Sequence, residues 1–544
     1  MSLQTHPSPA TTNGPTHLSA AAWRETRARR VRGGICAGLA SLCVLLAGAS
    51  QGFAQSADKP RAATPPEVVQ PEPVVTEHET TLDGRVLRYR ATAGYLTLPT
   101  EQGKPRAHVF HIAYTLLDDG KSGAPSPTTR PVTFAFNGGP GSSSVWLHMG
   151  AMGPVRVGGL DEEGMQLAPP YHCRENPHTW LPFTDLVFID PVSTGYSRAA
   201  EGESPSQFHG LEEDLRAVAE FIRLWTTRSG RWGSPKYLVG ESYGTTRAAG
   251  LSLMLLNDHG MALNGIVLVS PVIEFGSIRF HEGNDRPFVG IFPSYALTAG
   301  YHKRLPAASQ TRFDTDFDGF RREAERFASE ELAPALAAGD RLDEAKRKQI
   351  IATHARLTGL PEEFVARANL RVTLDAFAKR LMLDDRRTVG RLDSRYVGMD
   401  ADQIRAGYEH DPSYSAIVPP YTASLYQHLR ENLGYTSDLP YEILTGRVHP
   451  WSYQGEQNRY ANLATRLRDA MHRSPTLRVL VACGYYDLAT PYFAAEGVAA
   501  QMALDPSVRK NMAFTYYKSG HMMYVRDVDL EKLTRDARAF YESR

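Results

Sequence analysis

The chain has little cysteine: four residues among 544, too few and too scattered for a disulfide framework. It also lacks a dominant charge. Sixty basic residues balance sixty acidic ones, so no global field gathers nucleic acid or acidic ligands, and neither is expected as a partner. It contains no Cys-x-x-Cys pair, and His281-Glu282 has no second histidine to complete a zinc motif. Gly120-Lys121-Ser122 lacks the first glycine of a phosphate loop, where Thr115 stands. No metal, nucleotide or other cofactor is therefore expected. No internal repeat is visible, which argues against a solenoid or array.

What is present is enough apolar material for a large core, 42% of residues with 10% aromatic,. Residues 1–54 read as an export signal. Arg24, Arg27, Arg29, Arg30 and Arg32 precede an apolar stretch from Ile35 to Ala49, and Gly52-Phe53-Ala54 offers a small-residue cleavage site. Arg29-Arg30 also raises a twin-arginine signal, without flanking residues that argue for it. The apolar run is shorter than the roughly 18 residues of a spanning helix, which favours cleavage over a retained anchor. The expectation is an exported protein, periplasmic or secreted, with no stable membrane association after cleavage. Cys36 and Cys43 leave with the signal; Cys173 and Cys483 remain, to pair or to stay free.

Residues 55–75 are rich in proline, with Pro60, Pro65, Pro66, Pro71 and Pro73 too closely spaced for helix or central strand. The tether composition runs on to Glu77. Strand-like runs follow at Arg85–Ala91, Tyr95–Leu98, Val109–Leu116 and Val132–Phe136. Apolar strands then alternate with helices: Leu186–Ile189, Leu211–Trp225, Tyr237–Val239, Thr245–Asn257 and Ile266–Val269. This rhythm predicts an α/β class with a mostly parallel central sheet flanked by helices. It stops at residue 285. Residues 285–445, with helical composition at Phe317–Ala338, Leu342–Leu357 and Pro361–Leu383, read as a mainly helical cap inserted into the core. Residues 76–284 and 446–544 then form its two parts, the second with strands at Arg478–Ala482 and Ala513–Tyr517 and a closing helix at Leu530–Tyr541.

Gly240-Glu241-Ser242-Tyr243-Gly244 follows a strand and opens a helix, the context in which G-x-S-x-G presents a nucleophile on a tight turn. A Cβ at either glycine would collide with the neighbouring strand or helix. A serine hydroxyl needs an imidazole to take its proton and a carboxylate to orient that imidazole. Two later strands run into Asp487 and His521, where ligands of open α/β sheets bind. Alone, Asp487 reads as a turn aspartate ahead of Pro491 and His521 as a loop histidine. Together with Ser242, in the order Ser, Asp, His, they read as a triad. Asp185 and Asp190 precede the serine and suit that order less well. Asn137-Gly138-Gly139-Pro140-Gly141 follows another strand, and the amides of Gly139 and Tyr243 are expected to form an oxyanion hole.

These residues resemble the serine carboxypeptidase family, which includes carboxypeptidase Y, and so imply an α/β-hydrolase fold. The likeness rests on Asn137 to Ser144, Gly153-Pro154, Asn176-Pro177 with Trp180, Ile189-Asp190-Pro191, Gly195-Tyr196-Ser197, the Gly240 to Gly244 turn and Gly520-His521-Met522. It implies a serine-type carboxypeptidase that removes the C-terminal residue of peptide substrates through an acyl-enzyme. Ser242 would be the nucleophile, His521 the base and acid, and Asp487 its orienting partner. It also implies that Asn137, Gly138 and Glu241 hold the substrate carboxylate. The family's second glutamate falls on Ala151, its usual tryptophan on Ala135 and its cysteine on Ser142. Glu241 is then expected to stand as a lone acid, with the terminal carboxylate held by an arginine of the helical insertion. The alternatives are an esterase or acyltransferase of the same fold, and a noncatalytic periplasmic peptide-binding protein.

Overall fold

A computed structural model describes residues 72–82, 84–117 and 129–543. The export signal with Cys36 and Cys43, most of the proline-rich tether and the Gly120-Lys121-Ser122 segment lie outside the described residues. The main sheet is built from β1 (Val74–Leu82), β2 (Arg85–Pro99), β3 (Pro105–Leu116), β4 (Val132–Phe136), β5 (Asp185–Ile189), β6 (Lys236–Glu241), β7 (Gly265–Val269), β8 (Arg478–Gly484) and β9 (Met512–Tyr517), in the spatial order β1-β2-β3-β5-β4-β6-β7-β8-β9. The pairs from β1 through β5 are antiparallel, and those from β5 through β9 are parallel.

Two strand boundaries differ from the sequence reading. β1 begins at Val74, inside the stretch read as tether to Glu77, and pairs with β2 over its whole length. Its side chains alternate half-buried and exposed, which is edge-strand behaviour that composition alone conceals,. The two runs Arg85–Ala91 and Tyr95–Leu98 are one strand, because Ala93 and Gly94 continue the ladder opposite Ile112 and His111.

The inner parallel strands are buried on both faces, as their continuous apolar sequences require,, while β9 at the edge is only partly buried. Helix α1 (Leu211–Arg228) turns Leu211, Leu215, Val218, Ile222 and Trp225 inward. Each contributes about 1.5–3 kcal/mol of gross burial free energy. Helix α2 (Tyr243–His259) follows β6 directly, and α3 (Arg286–Tyr301) and α4 (Pro412–Gln427) belong to the insertion. Helix α5 (Asp527–Glu542) closes the chain. Inside the insertion, Pro361–Leu383 is two short helices, Glu362–Arg367 and Leu374–Arg380, separated where Asn369 and Leu370 take positive φ.

The chain runs from β4 outward to β5, then returns past β4 to β6. The connections leaving β4 and β6 therefore diverge at the C-terminal ends of two neighbouring parallel strands, the switch point where open α/β sheets bind ligands. Phe136 pairs with Gly240, so the Asn137 loop and the Ser242 turn begin side by side. Among the described residues no helix is long and apolar enough to cross a membrane.

Candidate active site

Ser242 sits at φ 59°, ψ −128°, a strained conformation for a residue with a Cβ that costs of order 1–3 kcal/mol. The strain is held by packing on both sides. A Cβ on Gly240 would lie 2.2 Å from the Gly244 carbonyl oxygen, and one on Gly244 would lie 2.6 Å from that of Phe136. Only glycine allows β6, β4 and the first turn of α2 to approach this closely.

Asp487 and His521 leave the ends of β8 and β9. His521 Nδ1 lies 2.8 Å from Asp487 Oδ2, so the ring donates from Nδ1 and Nε2 is left as the basic nitrogen of the neutral imidazole. Asp487 is also the turn aspartate its sequence suggests: its Oδ1 accepts the amides of Ala489 at 2.8 Å and Thr490 at 2.9 Å. The Thr490 hydroxyl stands 2.7 Å from Oδ2. The turn bonds and the His521 bond coexist, because each oxygen takes a different set of donors.

Burial pushes the Asp487 carboxyl upward, but the facing imidazolium charge and the bonds from His521 and Thr490 outweigh it and hold the carboxyl below its usual range,. For His521 the order is the mirror image. Desolvation lowers it, and the Asp487 charge and hydrogen bond, with Glu241 adding, raise it above 6.5.

Ser242, His521, Asn137, Gly138, Gly139 and Glu241 line one cavity of about 510 Å³, within the ordinary range for a small-molecule or peptide-end site. The geometry thus brings together both the triad candidates and the carboxylate candidates. A Cβ on Gly138 would stand 2.3 Å from the Tyr243 amide nitrogen, so the two expected oxyanion segments are in backbone contact. Tyr243 is the first residue of α2, where an N–H has no partner within the helix. Behind the loop, Arg247 donates to the Asn137 carbonyl at 2.6 Å and to Asp214 at 2.8 Å, both side chains buried.

Glu241, the acid that Ala151 leaves without a partner acid, is nevertheless hydrogen-bonded. Tyr524 donates to its Oε2 at 2.6 Å and Asn137 adds a side-chain hydrogen bond. Burial is the main influence and raises its carboxyl to about 7, against the lowering effects of His521, Tyr524 and Asn137. Tyr524 lies one turn past His521, and that spacing is the only signal by which the sequence could have pointed to it. The competing carboxylates are used elsewhere. Asp185 pairs with Arg130 at 2.8 Å and Arg231 at 2.7 Å, and Asp190 accepts the amide and hydroxyl of Ser144, each at 2.9 Å. Cys173 and Cys483 are free thiols.

The insertion contributes directly to this site. Between Arg391 and Ser394 it binds the Asp487 and His521 loops through the backbone: Leu488 N–H to the Arg391 carbonyl at 3.1 Å, Ser394 N–H to that of Tyr486 at 3.0 Å, and His521 N–H to that of Leu392 at 2.7 Å. On the other side of the cavity, Ser143 N–H and Thr445 N–H bond Ile443 and Gly141 carbonyls at 3.0 and 2.9 Å.

With this geometry in view, the comparisons with known proteins are specific. Residues 82–277 match the family model for serine carboxypeptidases. The match marks that stretch of the chain as similar to serine carboxypeptidases. It is 24% identical over 197 residues to serine carboxypeptidase-like 46 of Arabidopsis thaliana, covering 35% of this chain and 37% of that protein. It is 31% identical over 153 residues to carboxypeptidase Y homolog A of Talaromyces stipitatus, covering 28% of this chain and 23% of the relative. The chain thus spans well under half the length of these curated relatives. The solved structure of Kex1, a prohormone-processing carboxypeptidase from Saccharomyces cerevisiae, aligns with a TM-score of 0.52 at 14% identity, covering 83% of this chain and 91% of that one. That likeness shows the shared α/β-hydrolase fold.

Proposed function

We propose that this protein is a serine-type carboxypeptidase that removes residues from the C-termini of peptides. The observation that carries this reading is the buried Asp487–His521 hydrogen bond beside a strained Ser242, with both His521 and Ser242 facing one cavity. The match of residues 82–277 to the serine carboxypeptidase family model supports it.

In the proposed cycle His521 Nε2 takes the Ser242 proton as Oγ attacks the scissile carbonyl carbon. The carbonyl oxygen becomes an oxyanion held by the amides of Gly139 and Tyr243. The intermediate collapses as His521 returns the proton to the leaving amine, which departs as the free C-terminal residue. Water, deprotonated by His521, then attacks the acyl-serine and restores the hydroxyl. Asp487 keeps the ring oriented and stabilises its charged form. Asn137, Gly138 and Glu241 face the leaving residue and support recognition of its carboxylate. The arginine-led apolar segment within residues 1–54 supports export, to the periplasm or beyond the cell.

Digestion of a peptide library, followed by mass spectrometry, tests the proposal. Stepwise loss of single residues from C-termini, absent in Ser242→Ala, is the expected result. Internal cuts that depend on Ser242 would overturn it.

A further inference from the structure

Among the described residues the cavity is lined by one arginine and no lysine: Arg391, from the insertion. Its backbone is fixed at both ends, the N–H on Asp411 Oδ1 at 3.0 Å and the carbonyl under the Leu488 amide at 3.1 Å. The guanidinium is not spent in the same way. Among the described residues it forms no ion pair, although Asp411 lines the same cavity. That carboxylate is occupied by the amides of Arg391, Leu392 and Ser413 and by the Ser413 hydroxyl. The Arg391 charge nevertheless reaches into the site, where it acts on His521 and on Tyr408.

A substrate carboxylate entering this cavity meets Glu241, which offers it at most one hydrogen bond while protonated, carries no positive charge, and repels it once ionised. Ala151 supplies no second acid to share a proton with Glu241. An unpaired guanidinium is the complementary group: its planar fork matches both oxygens of a carboxylate and stays charged at every working pH. We propose that Arg391 binds the free α-carboxylate of the substrate's last residue and so sets the preference for chain ends. This assignment rests on the carboxypeptidase reading and adds to it the residue that recognises the end.

The test compares wild type, Arg391→Gln and Arg391→Lys on three N-blocked dipeptides: Phe-Leu as free acid, Phe-Leu amide, and Phe-Glu as free acid. The quantity read is the ratio of kcat/KM for Phe-Leu acid over its amide. We expect this ratio to fall about 10- to 100-fold in Arg391→Gln, the range for losing one charge-assisted pair. The loss should appear mainly in KM, and Arg391→Lys should recover part of it. A ratio unchanged by Arg391→Gln while wild type still releases leucine overturns the assignment and leaves the carboxypeptidase reading intact. A loss confined to Phe-Glu makes Arg391 a reader of acidic side chains and also overturns it. A wild type that releases no leucine overturns both.

Discussion

Asp393 of the insertion accepts the Gly520 amide at 3.0 Å, one residue before His521. Arg395 holds the same carboxylate through contacts of 3.0, 3.1 and 2.6 Å, with its own side chain 1% exposed. The neighbouring Leu392 carbonyl takes the His521 amide, and the Ser270 hydroxyl donates to the His521 carbonyl at 2.7 Å. The histidine backbone is thus fixed at both polar groups, and one fixing element comes from the segment that sequence reading assigned to a cap. The segment thus braces the backbone on which His521 stands.

Replacing Asp393 by alanine leaves the buried Arg395 guanidinium with only the longer Glu163 ion pair at 3.7 Å and removes the Gly520 acceptor. Breaking a buried pair in this way costs about 3–5 kcal/mol. The urea midpoint should drop accordingly, and kcat should fall more than KM rises because His521 loses its alignment. Asp393→Asn keeps an acceptor for Gly520, and kcat should recover in part. Equal kcat in wild type and Asp393→Ala would show that the segment braces nothing the reaction needs.

Gly138→Ala tests the contact between the two oxyanion segments. Its Cβ would stand 2.3 Å from the Tyr243 nitrogen and 2.8 Å from the Glu241 carbonyl oxygen, all backbone with no side chain to swing away. The Asn137 loop must shift, and the Gly139 amide with it. Loss of a single oxyanion donor costs about 10²- to 10³-fold in kcat, so a loss of at least that size is expected. Single-turnover acylation by a p-nitrophenyl ester measures it, and near-normal acylation would separate this loop from the oxyanion.

Why some of this was legible in the sequence and some was not follows from how local each signal is. The Ser242 turn is written in five consecutive residues whose glycines each answer a short-range clash. Strands β4 to β8 announce themselves because burial on both faces leaves no polar alternation. Helix α3 does not: buried nearly all round, and carrying Pro293 with glycines at 290 and 300, it shows no amphipathic period. The Arg391–Ser394 segment has no regular structure to betray it, since its role lies in backbone bonds to loops about 90 and 130 residues later. Tyr524 was hidden for a related reason. The family resemblance implies a glutamate where Ala151 stands, but only the fold shows that Tyr524 donates to Glu241.

The buried Arg247–Asp214 pair offers a prediction about the Asn137 loop. Arg247 spends one nitrogen on the Asn137 carbonyl and the rest of its fork on Asp214. Asp214→Ala leaves the guanidinium buried without its counter-charge and should cost about 3–5 kcal/mol, read from urea unfolding. The arginine is then free to reorient, and kcat/KM should fall although no residue lining the cavity has changed. A stability loss with kcat/KM intact would confine the pair to holding the fold.

The last prediction concerns pH. Glu241 is raised to about 7, chiefly by burial, so below that pH it is neutral and can donate a hydrogen bond to a substrate carboxylate. Above it the ionised carboxylate repels the same group. His521 imposes the opposite limb: its proton affinity lies above the usual 6.5 because Asp487 outweighs desolvation, and only the neutral ring serves as base. For a free-acid dipeptide kcat/KM should therefore rise and then decline as pH increases, giving a bell. For the matching amide it should only rise. The acid-to-amide ratio isolates Glu241, because His521 affects both substrates alike. In wild type it should fall as pH passes through about 7, toward a plateau that Arg391 maintains, and in Glu241→Gln it should be flat. The stability linkage has the same sign. A carboxyl raised on folding favours the native state fully below its unfolded value of 4.5 and loses that contribution as pH climbs through about 7,. Wild type should therefore lose urea stability across that window relative to Glu241→Gln. A wild-type ratio that stays level from about pH 6 to 8.5 would mean that Glu241 does not change charge there, and recognition of the chain end would then rest on Arg391 alone.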